Sequence, residues 1–144
     1  MRPIVESWQF WAIVSAGFAA LTAIFAKVGV ENVGSDFATF IRTLVILLVV
    51  AGILVGTGQW QPFASVPGRT YVFLMLSGVA TGASWLCYFR ALKLGEASRV
   101  APIDKLSVVL VILFAWIFLG EGLTAHKVVG GLLIAGGAAT LVFG

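Results

Sequence analysis

The stretch Thr70–Phe89, TYVFLMLSGVATGASWLCYF, contains no charged residue and is long enough to cross a lipid bilayer as a helix. The hydrocarbon core of a bilayer is about 30 Å thick, and roughly 20 apolar residues of helix span it. Because lipid offers the backbone no hydrogen bonds, such a run must pair its own peptide groups, which a helix does. The stretch therefore predicts a transmembrane helix.

Similar apolar segments fill most of the remaining sequence of 144 residues. The predicted helices cover approximately residues 7–26, 37–57, 70–94, 98–119 and 125–143. The expected fold class is an all-α integral membrane protein, a bundle of five transmembrane helices that forms a single domain over residues 1–144.

The composition excludes several classes of protein. Apolar residues make up 60% of the chain and charged residues 10%, and the mean hydropathy is +1.08, whereas soluble domains carry about 25% charged residues. The formal charge of +3 is too thinly spread to suggest nucleic-acid binding. No metal site, cofactor motif or pairing of a nucleophile with a base is evident, so we expect neither a cofactor nor enzymatic activity.

Local signals predict where the helices begin and end. Ser35 or Asp36 is the expected cap of the second helix, and Gly120 and Gly122 are expected to end the fourth. Pro102 falls in the first turn or two of the fourth helix, where a missing N–H costs little. The fourth helix is therefore predicted to be continuous.

Four ionisable residues lie within the predicted spans: Arg42, Arg90, Asp104 and Lys105. Charges inside a membrane cost about 2.5–3.5 kcal/mol on insertion scales and usually serve a transport pathway or an ion pair. All four fall toward the same side of the membrane, so a shared polar cluster is a geometric possibility.

Other interpretations of these charges compete with a role in transport. The basic side chains could extend to the interface, since each lies within two turns of a helix end. Asp104 could form a structural salt bridge to Arg90, Lys105 or Arg42. It is also the only acid placed within a span, so it is the leading carrier if protons are coupled to transport.

Aromatic and hydroxyl side chains complete the set of candidate binding residues. Trp11, Ser15 and Phe18 lie on the first helix, and Trp85 and Tyr88 lie three residues apart on the third. Such a set could line a cavity for apolar or cationic solutes through cation–π contacts. The competing interpretation is that the aromatic residues face lipid or the interfacial belt.

The C-terminal half resembles a known family. Residues 88–102 read YFRALKLGEASRVAP, which is similar to the Y-x-x-A-L-x-x-G-x-A-S-x-V-A-P stretch of EamA domains. Residues 118–124, FLGEGLT, resemble the same family's F-L-G-E-x-L-T helix end. A glycine-rich last helix follows. By this resemblance the chain is identified as a member of the drug/metabolite transporter superfamily.

The resemblance implies a carrier of small metabolites or drugs in the cytoplasmic (inner) membrane, working by alternating access. Most members carry two such domains, whereas this chain has one, which predicts a homodimer. The last helix, which is glycine-rich and carries the small-residue stripe Gly131, Ala135 and Ala139, is the expected contact between subunits. A flippase for lipid-linked substrates, with Arg42, Arg90 and Lys105 as a headgroup site, and a structural subunit without transport activity are the alternatives.

The flanking basic residues suggest that the two chains of such a dimer are inverted. If the charges within spans are left out, three basic residues lie on each side of the membrane: Arg2, Arg69 and Lys127 against Lys27, Lys93 and Arg99. Equal numbers give no positive-inside instruction. If the basic residues within the spans, Arg42, Arg90 and Lys105, are counted as well, all three add to the second side. That count favours an N-terminus outside the cell.

Overall fold

Helices account for nearly all of the chain that the structure, a computed structural model, describes, namely residues 7–144. Arg2, which entered the count of flanking charges, lies outside the described residues. The α-helices are α1 Trp8–Gly29, α2 Ser35–Gly56, α3 Gly68–Leu94, α4 Ala97–Asp104, α5 Ser107–Leu119 and α6 Ala125–Phe143. A short 3₁₀ helix, Phe63–Ser65, lies in the connection between α2 and α3.

Within residues 7–144, five helical segments are long and apolar enough to span a membrane, which confirms the predicted fold class. Four of these five spans are the single helices α1, α2, α3 and α6. The remaining span, Ala97–Leu119, comprises α4 and α5. Most large apolar side chains along these spans are exposed. Lipid is the natural surrounding of such surfaces, because acyl chains are as apolar as the side chains themselves.

The predicted fourth helix corresponds to the span Ala97–Leu119, but a turn at Lys105–Leu106 interrupts it. Residues 97–119 form two helices, α4 and α5, separated by Lys105–Leu106. Pro102 lies inside α4, where it lacks an N–H and its ring crowds the carbonyl four residues earlier. Around the break the backbone forms tighter bonds between residues three apart, from Leu106 N to Ile103 O and from Val108 N to Lys105 O.

The helix ends follow the chemistry of their boundary residues, with one correction. Gly34, in an extended conformation and without a side-chain bond, is the N-cap of α2, so neither Ser35 nor Asp36 caps it. Gly120 ends α5 with φ 67°, a left-handed conformation that glycine adopts without steric cost. At the start of α6, the Thr124 hydroxyl accepts a hydrogen bond from the backbone N–H of Lys127.

The helices pack as two units. The terminal unit contains Leu94–Gly144 together with α1 up to Ala26, and the central unit is Lys27–Lys93. In the terminal unit α6 packs against both α4 and α5. Gly131 and Ala138 are the buried residues of α6, and their small size allows close approach between helices.

The central unit joins the last residues of α1, the whole of α2 and most of α3. Its most buried side chains are Val30, Thr39, Phe89 and Leu92. The Thr39 hydroxyl donates to the carbonyl of Ser35 one turn earlier, so this polar group is satisfied within its own helix. The buried residues lie near the C-terminal end of α3 and the N-terminal end of α2.

Candidate functional site

Two lysines of the central unit donate hydrogen bonds to backbone carbonyls, one at a helix end and one in a connection. Lys27 Nζ donates to the carbonyl of Leu92 at 2.7 Å, and Lys93 Nζ donates to the carbonyl of Val33 at 2.6 Å. The last carbonyls of a helix have no partner within the helix and carry its negative dipole end. Lys27 therefore neutralises the end of α3, and both bonds hold the connection after α1 against α3.

Arg90 and Asp36 form an ion pair beside these lysines. Arg90 Nη2 lies 2.8 Å from Asp36 Oδ2, and both side chains are largely exposed. Arg90 is thus directed toward the first turn of α2. The sequence offered Asp36 as a helix cap and did not identify it as an ion-pair partner. Arg90 remains a predicted substrate or coupling residue, now with a carboxylate beside it.

Arg42 has a different environment, because aromatic rings surround its charged group. Its guanidinium carbon lies 4.2 Å from the ring centre of Trp85 and 5.4 Å from that of Phe89. Trp85, Tyr88 and Phe89 follow the three- and four-residue spacing that places side chains on one helical face. Within Lys27–Lys93, no carboxylate forms an ion pair with Arg42. The sequence proposed both Arg42 and Trp85 as site residues but did not predict their contact.

The rings place the Arg42 guanidinium well inside the membrane-spanning part of the central unit. Arg42 lies seven residues after Ser35, the first residue of α2, which corresponds to about 10 Å of helix. Trp85 lies nine residues before Leu94, the last residue of α3, or about 13 Å of helix. A side chain that extended to the interface would lie away from Trp85, so the stacked position argues against that interpretation.

The stacking only partly offsets the cost of a buried charge. Cation–π contacts contribute about 0.5–2 kcal/mol. An arginine at the very centre of a span costs roughly 2.5–3.5 kcal/mol, and Arg42 lies about one turn of helix from the centre of α2. A guanidinium carries five N–H donors, which ring faces satisfy less well than oxygen acceptors do. Arg42 is therefore an electropositive group suited to a further polar partner.

Asp104 and Lys105 lie at the break in the fourth span. Asp104 is the last residue of α4, Lys105 is its C-cap, and their charged groups are 3.3 Å apart. The Asp104 side chain is partly exposed and the Lys105 side chain more so. The salt bridge considered for Asp104 is thus formed with Lys105. Because the two residues are adjacent in sequence, the salt bridge does not tie them to another helix. Both charged groups therefore remain candidates for contacting solute where the span is interrupted.

The terminal unit also contains an apolar groove between α5 and α6. Its volume is about 210 Å³, and it is lined by Val109, Ile112, Leu113, Leu123, Lys127, Val128, Gly131 and Leu132. Lys127 is the only charged residue of this lining, and its ammonium group lies 3.1 Å from the Glu121 carboxylate. The ion pair joins the start of α6 to the segment that follows α5.

The remaining predicted site residues lie on α1. Trp11 and Phe18 are 60% and 65% exposed, and Ser15 is exposed as well. The Trp11 ring makes an edge contact with the Phe10 ring at 5.3 Å. Exposure of this kind is typical of aromatic residues facing lipid or the interface. Their role in lining a cavity stays a prediction.

Three residues that were not proposed as site residues from the sequence make contacts within the central unit: Asp36, Lys27 and Phe89. Phe89 could have been found, since it follows Trp85 at the four-residue spacing of one helical face. Lys27 lies in the last turn of α1, where a lysine is ordinarily read as a flanking charge. Nothing in the local sequence indicates its contact with a carbonyl 65 residues away.

Comparison with known proteins gives one family match and one similar relative. Residues 6–143 match the model of the EamA-like transporter family. A protein of Sinorhizobium sp., described as an uncharacterized transporter in the cobO 3' region, is 63% identical over 136 residues, covering 94% of this chain and 96% of the relative. No solved structure shows a significant match. Five helices able to span a membrane and a family match over almost the whole chain establish that it is a multi-pass membrane protein belonging to the EamA-like transporter family.

Proposed function

We propose that this chain carries a small metabolite or drug across the cytoplasmic membrane by alternating access, as a homodimer of five-helix units. The observation that carries the proposal is the break at Lys105–Leu106 within the fourth span. Discontinuous helices are a recurring element of secondary carriers, in which unwound backbone and helix ends lie at the solute site. A carboxylate and an ammonium group adjoin this break.

The packing of the terminal unit suggests how the break could serve a conformational change. Both α4 and α5 pack against α6, so each half of the span rests on the same helix. Bonds between residues three apart are less well aligned than those of an α-helix and often mark hinges. In our proposal α4 and α5 change their mutual angle at Lys105–Leu106 while α6 supports both.

A second copy of the chain would complete the carrier. Many transporter folds contain two repeats, with the solute site near the bilayer midplane at the interface between the repeats. Gly131 is buried, and a Cβ there would lie 3.7 Å from Ile112 Cδ1 of α5, so this part of α6 faces its own chain. Gly130 and Gly137 are open at their Cα atoms. We therefore assign the contact between subunits to the face of α6 that carries Gly130 and Gly137.

The balanced flanking charges support an inverted arrangement of the two chains. A reporter fused at Gly144 should give signals from both sides of the membrane in cells. Adding two lysines to one connecting segment should then bias the orientation. A uniform orientation of the unmodified chain in cells contradicts an inverted homodimer.

Reconstitution tests the transport activity directly. The purified chain in proteoliposomes should take up at least one solute from a panel of labelled metabolites and drugs faster than protein-free liposomes do. The mass of the detergent-solubilised protein should correspond to two chains. A monomer with full flux contradicts the dimer, and a complete absence of flux favours the structural-subunit alternative.

Scrambling of labelled lipid in the same vesicles tests the flippase alternative. The sequence offered Arg42, Arg90 and Lys105 as the basic residues for that activity. Arg90 and Lys105 each have a carboxylate within ion-pair distance, which makes them weaker candidates for an anionic headgroup. We therefore favour a soluble solute, and rapid scrambling by the wild-type chain would reverse that preference.

A further inference from the structure

We propose that Arg42 binds the anionic group of the solute, a carboxylate or a phosphate, so that the substrate class is organic anions. This inference names the substrate class of the transporter proposed above. It rests on that proposed function in one respect, namely that the bound anion is a transported solute. Its own basis is the position of one guanidinium in the central unit. Aromatic side chains alone would suggest that the site prefers cationic solutes, whereas Arg42 favours anionic ones.

The cations of the central unit fall into two groups. Lys27, Lys93 and Arg90 each donate a hydrogen bond to a carbonyl or carboxylate oxygen. The guanidinium groups of Arg42 and Arg69 lie over aromatic rings instead. The two arginines differ in their distance from the end of the membrane span.

Arg69 is the second residue of α3 and therefore lies at the end of its span, with its guanidinium 5.7 Å from the Phe73 ring centre. Arg42 lies seven residues inside α2, and its nearest ring belongs to Trp85, nine residues inside α3. Water can solvate Arg69 at the interface, whereas a charge at the depth of Arg42 needs a partner or a polar pathway.

The stacking also determines which chemistry Arg42 can offer. Trp85 and Phe89 hold the guanidinium near one helical face of α3, which reduces the rotamer freedom lost on binding. A stacked guanidinium still presents N–H donors at its edge in a planar fork. That fork matches the two oxygens of a carboxylate or phosphate, and charge-assisted bonds of this type are about twice as strong as neutral ones.

Binding measurements with probes that differ in charge test the inference. The full chain would be placed in nanodiscs of phosphatidylcholine, and binding of benzoate, benzamide, benzylammonium and inorganic phosphate would be measured. Wild type should bind benzoate or phosphate saturably and more tightly than the neutral and cationic probes. Arg42→Gln should weaken anion binding about tenfold or more, as expected for the loss of a charge-assisted bond.

Two further variants separate charge from folding. Arg42→Lys keeps the charge but loses the planar fork, so its affinity should fall between those of wild type and Arg42→Gln. Arg69→Gln is the matched control, since it removes a stacked arginine of the same unit at the end of the span, and it should leave anion binding unchanged. Melting temperatures of all variants show whether each is folded.

Adding phosphatidylglycerol to the nanodiscs identifies the source of the anion. Competition with benzoate that depends on Arg42 assigns the oxyanion to a lipid headgroup, and no competition assigns it to a soluble solute. Both results support an oxyanion site at Arg42. Equal anion affinity of wild type and Arg42→Gln, or no saturable binding of either anion to wild type, overturns it.

Flux measurements keep this inference separate from the proposed transport function. If benzoate binds through Arg42 but no solute enters proteoliposomes, transport fails and the oxyanion site stands. If solutes enter but only cations do so, at a rate unaffected by Arg42→Gln, transport stands and the organic-anion class is wrong.

Discussion

Arg90 of α3 and Asp36 of α2 form a 2.8 Å ion pair across 54 residues of sequence, joining the end of the third span to the start of the second. The pair lies within the same unit as the hydrogen bonds that Lys27 and Lys93 donate to backbone carbonyls. The adjoining ends of α2 and α3 are therefore fixed by polar contacts. Farther from these helix ends, α2 and α3 are joined by the contact between Arg42 and Trp85.

Asp36→Asn and Arg90→Gln should each lower the melting temperature slightly, because exposed ion pairs contribute little. The double variant should lose less than the sum of the two, since both changes break the same interaction. Arg99→Gln is the control, as its partner Glu96 is only three residues away. Fully additive losses at Asp36 and Arg90 would show that the pair is not energetically coupled.

Lys27→Met should destabilise the chain by about 1.5–3 kcal/mol, because it removes a charged hydrogen bond from the Leu92 carbonyl at the end of α3. Lys93→Met breaks a similar bond to Val33 at an exposed site and should cost less. Unfolding in denaturant, monitored by circular dichroism, measures both. Equal losses for the two variants would refute a special role for the helix end.

Gly137→Leu should dissociate the dimer while leaving the melting temperature of the single chain nearly unchanged, because Gly137 is open within the chain. Gly131→Leu should act in the opposite way. Its side chain would press on Ile112 and Val109 of α5, and overpacking costs about 1–3 kcal/mol. Light scattering gives the mass and calorimetry the stability. Dissociation by Gly131→Leu alone would contradict the assignment of the contact to the Gly130 and Gly137 face.

Pro102→Ala should stabilise α4 and slow transport, because alanine restores an N–H donor and removes the ring that crowds the preceding turn. The expected signature is a higher melting temperature together with a lower maximal flux and a nearly unchanged solute affinity. Val100→Ala, in the same helix, serves as the control for a change that leaves the backbone donors intact. Undiminished flux in Pro102→Ala would contradict a hinge at the break.

Asp104→Asn should keep the fold, because its ion pair with Lys105 is local and partly exposed. If Asp104 carries protons or contacts solute, flux should fall and lose its pH dependence. If it only balances Lys105, stability should fall and the double variant with Lys105→Gln should recover it. Normal stability together with wild-type flux and pH dependence would exclude both roles.

The sequence by itself determined the number and approximate length of the membrane spans. An apolar run in lipid has essentially one solution, a helix that pairs its own backbone, so periodicity and partners are not needed. The helix end at Gly120 was likewise readable, because a left-handed glycine acts locally, whereas the Thr124 cap was not proposed. The motif between Tyr88 and Thr124 was sufficient to suggest the family.

Only the tertiary structure decided what the charged residues contact. Sequence position gives the depth of a side chain along its span but not the rotation of the helix about its axis or the neighbour that it faces. For that reason Arg42 and Arg90 look alike in sequence, yet one stacks on Trp85 and the other pairs with Asp36. The extent of the fourth span was predicted, but the turn at Lys105–Leu106 was not, because a proline near a helix start is compatible with either a continuous or an interrupted span.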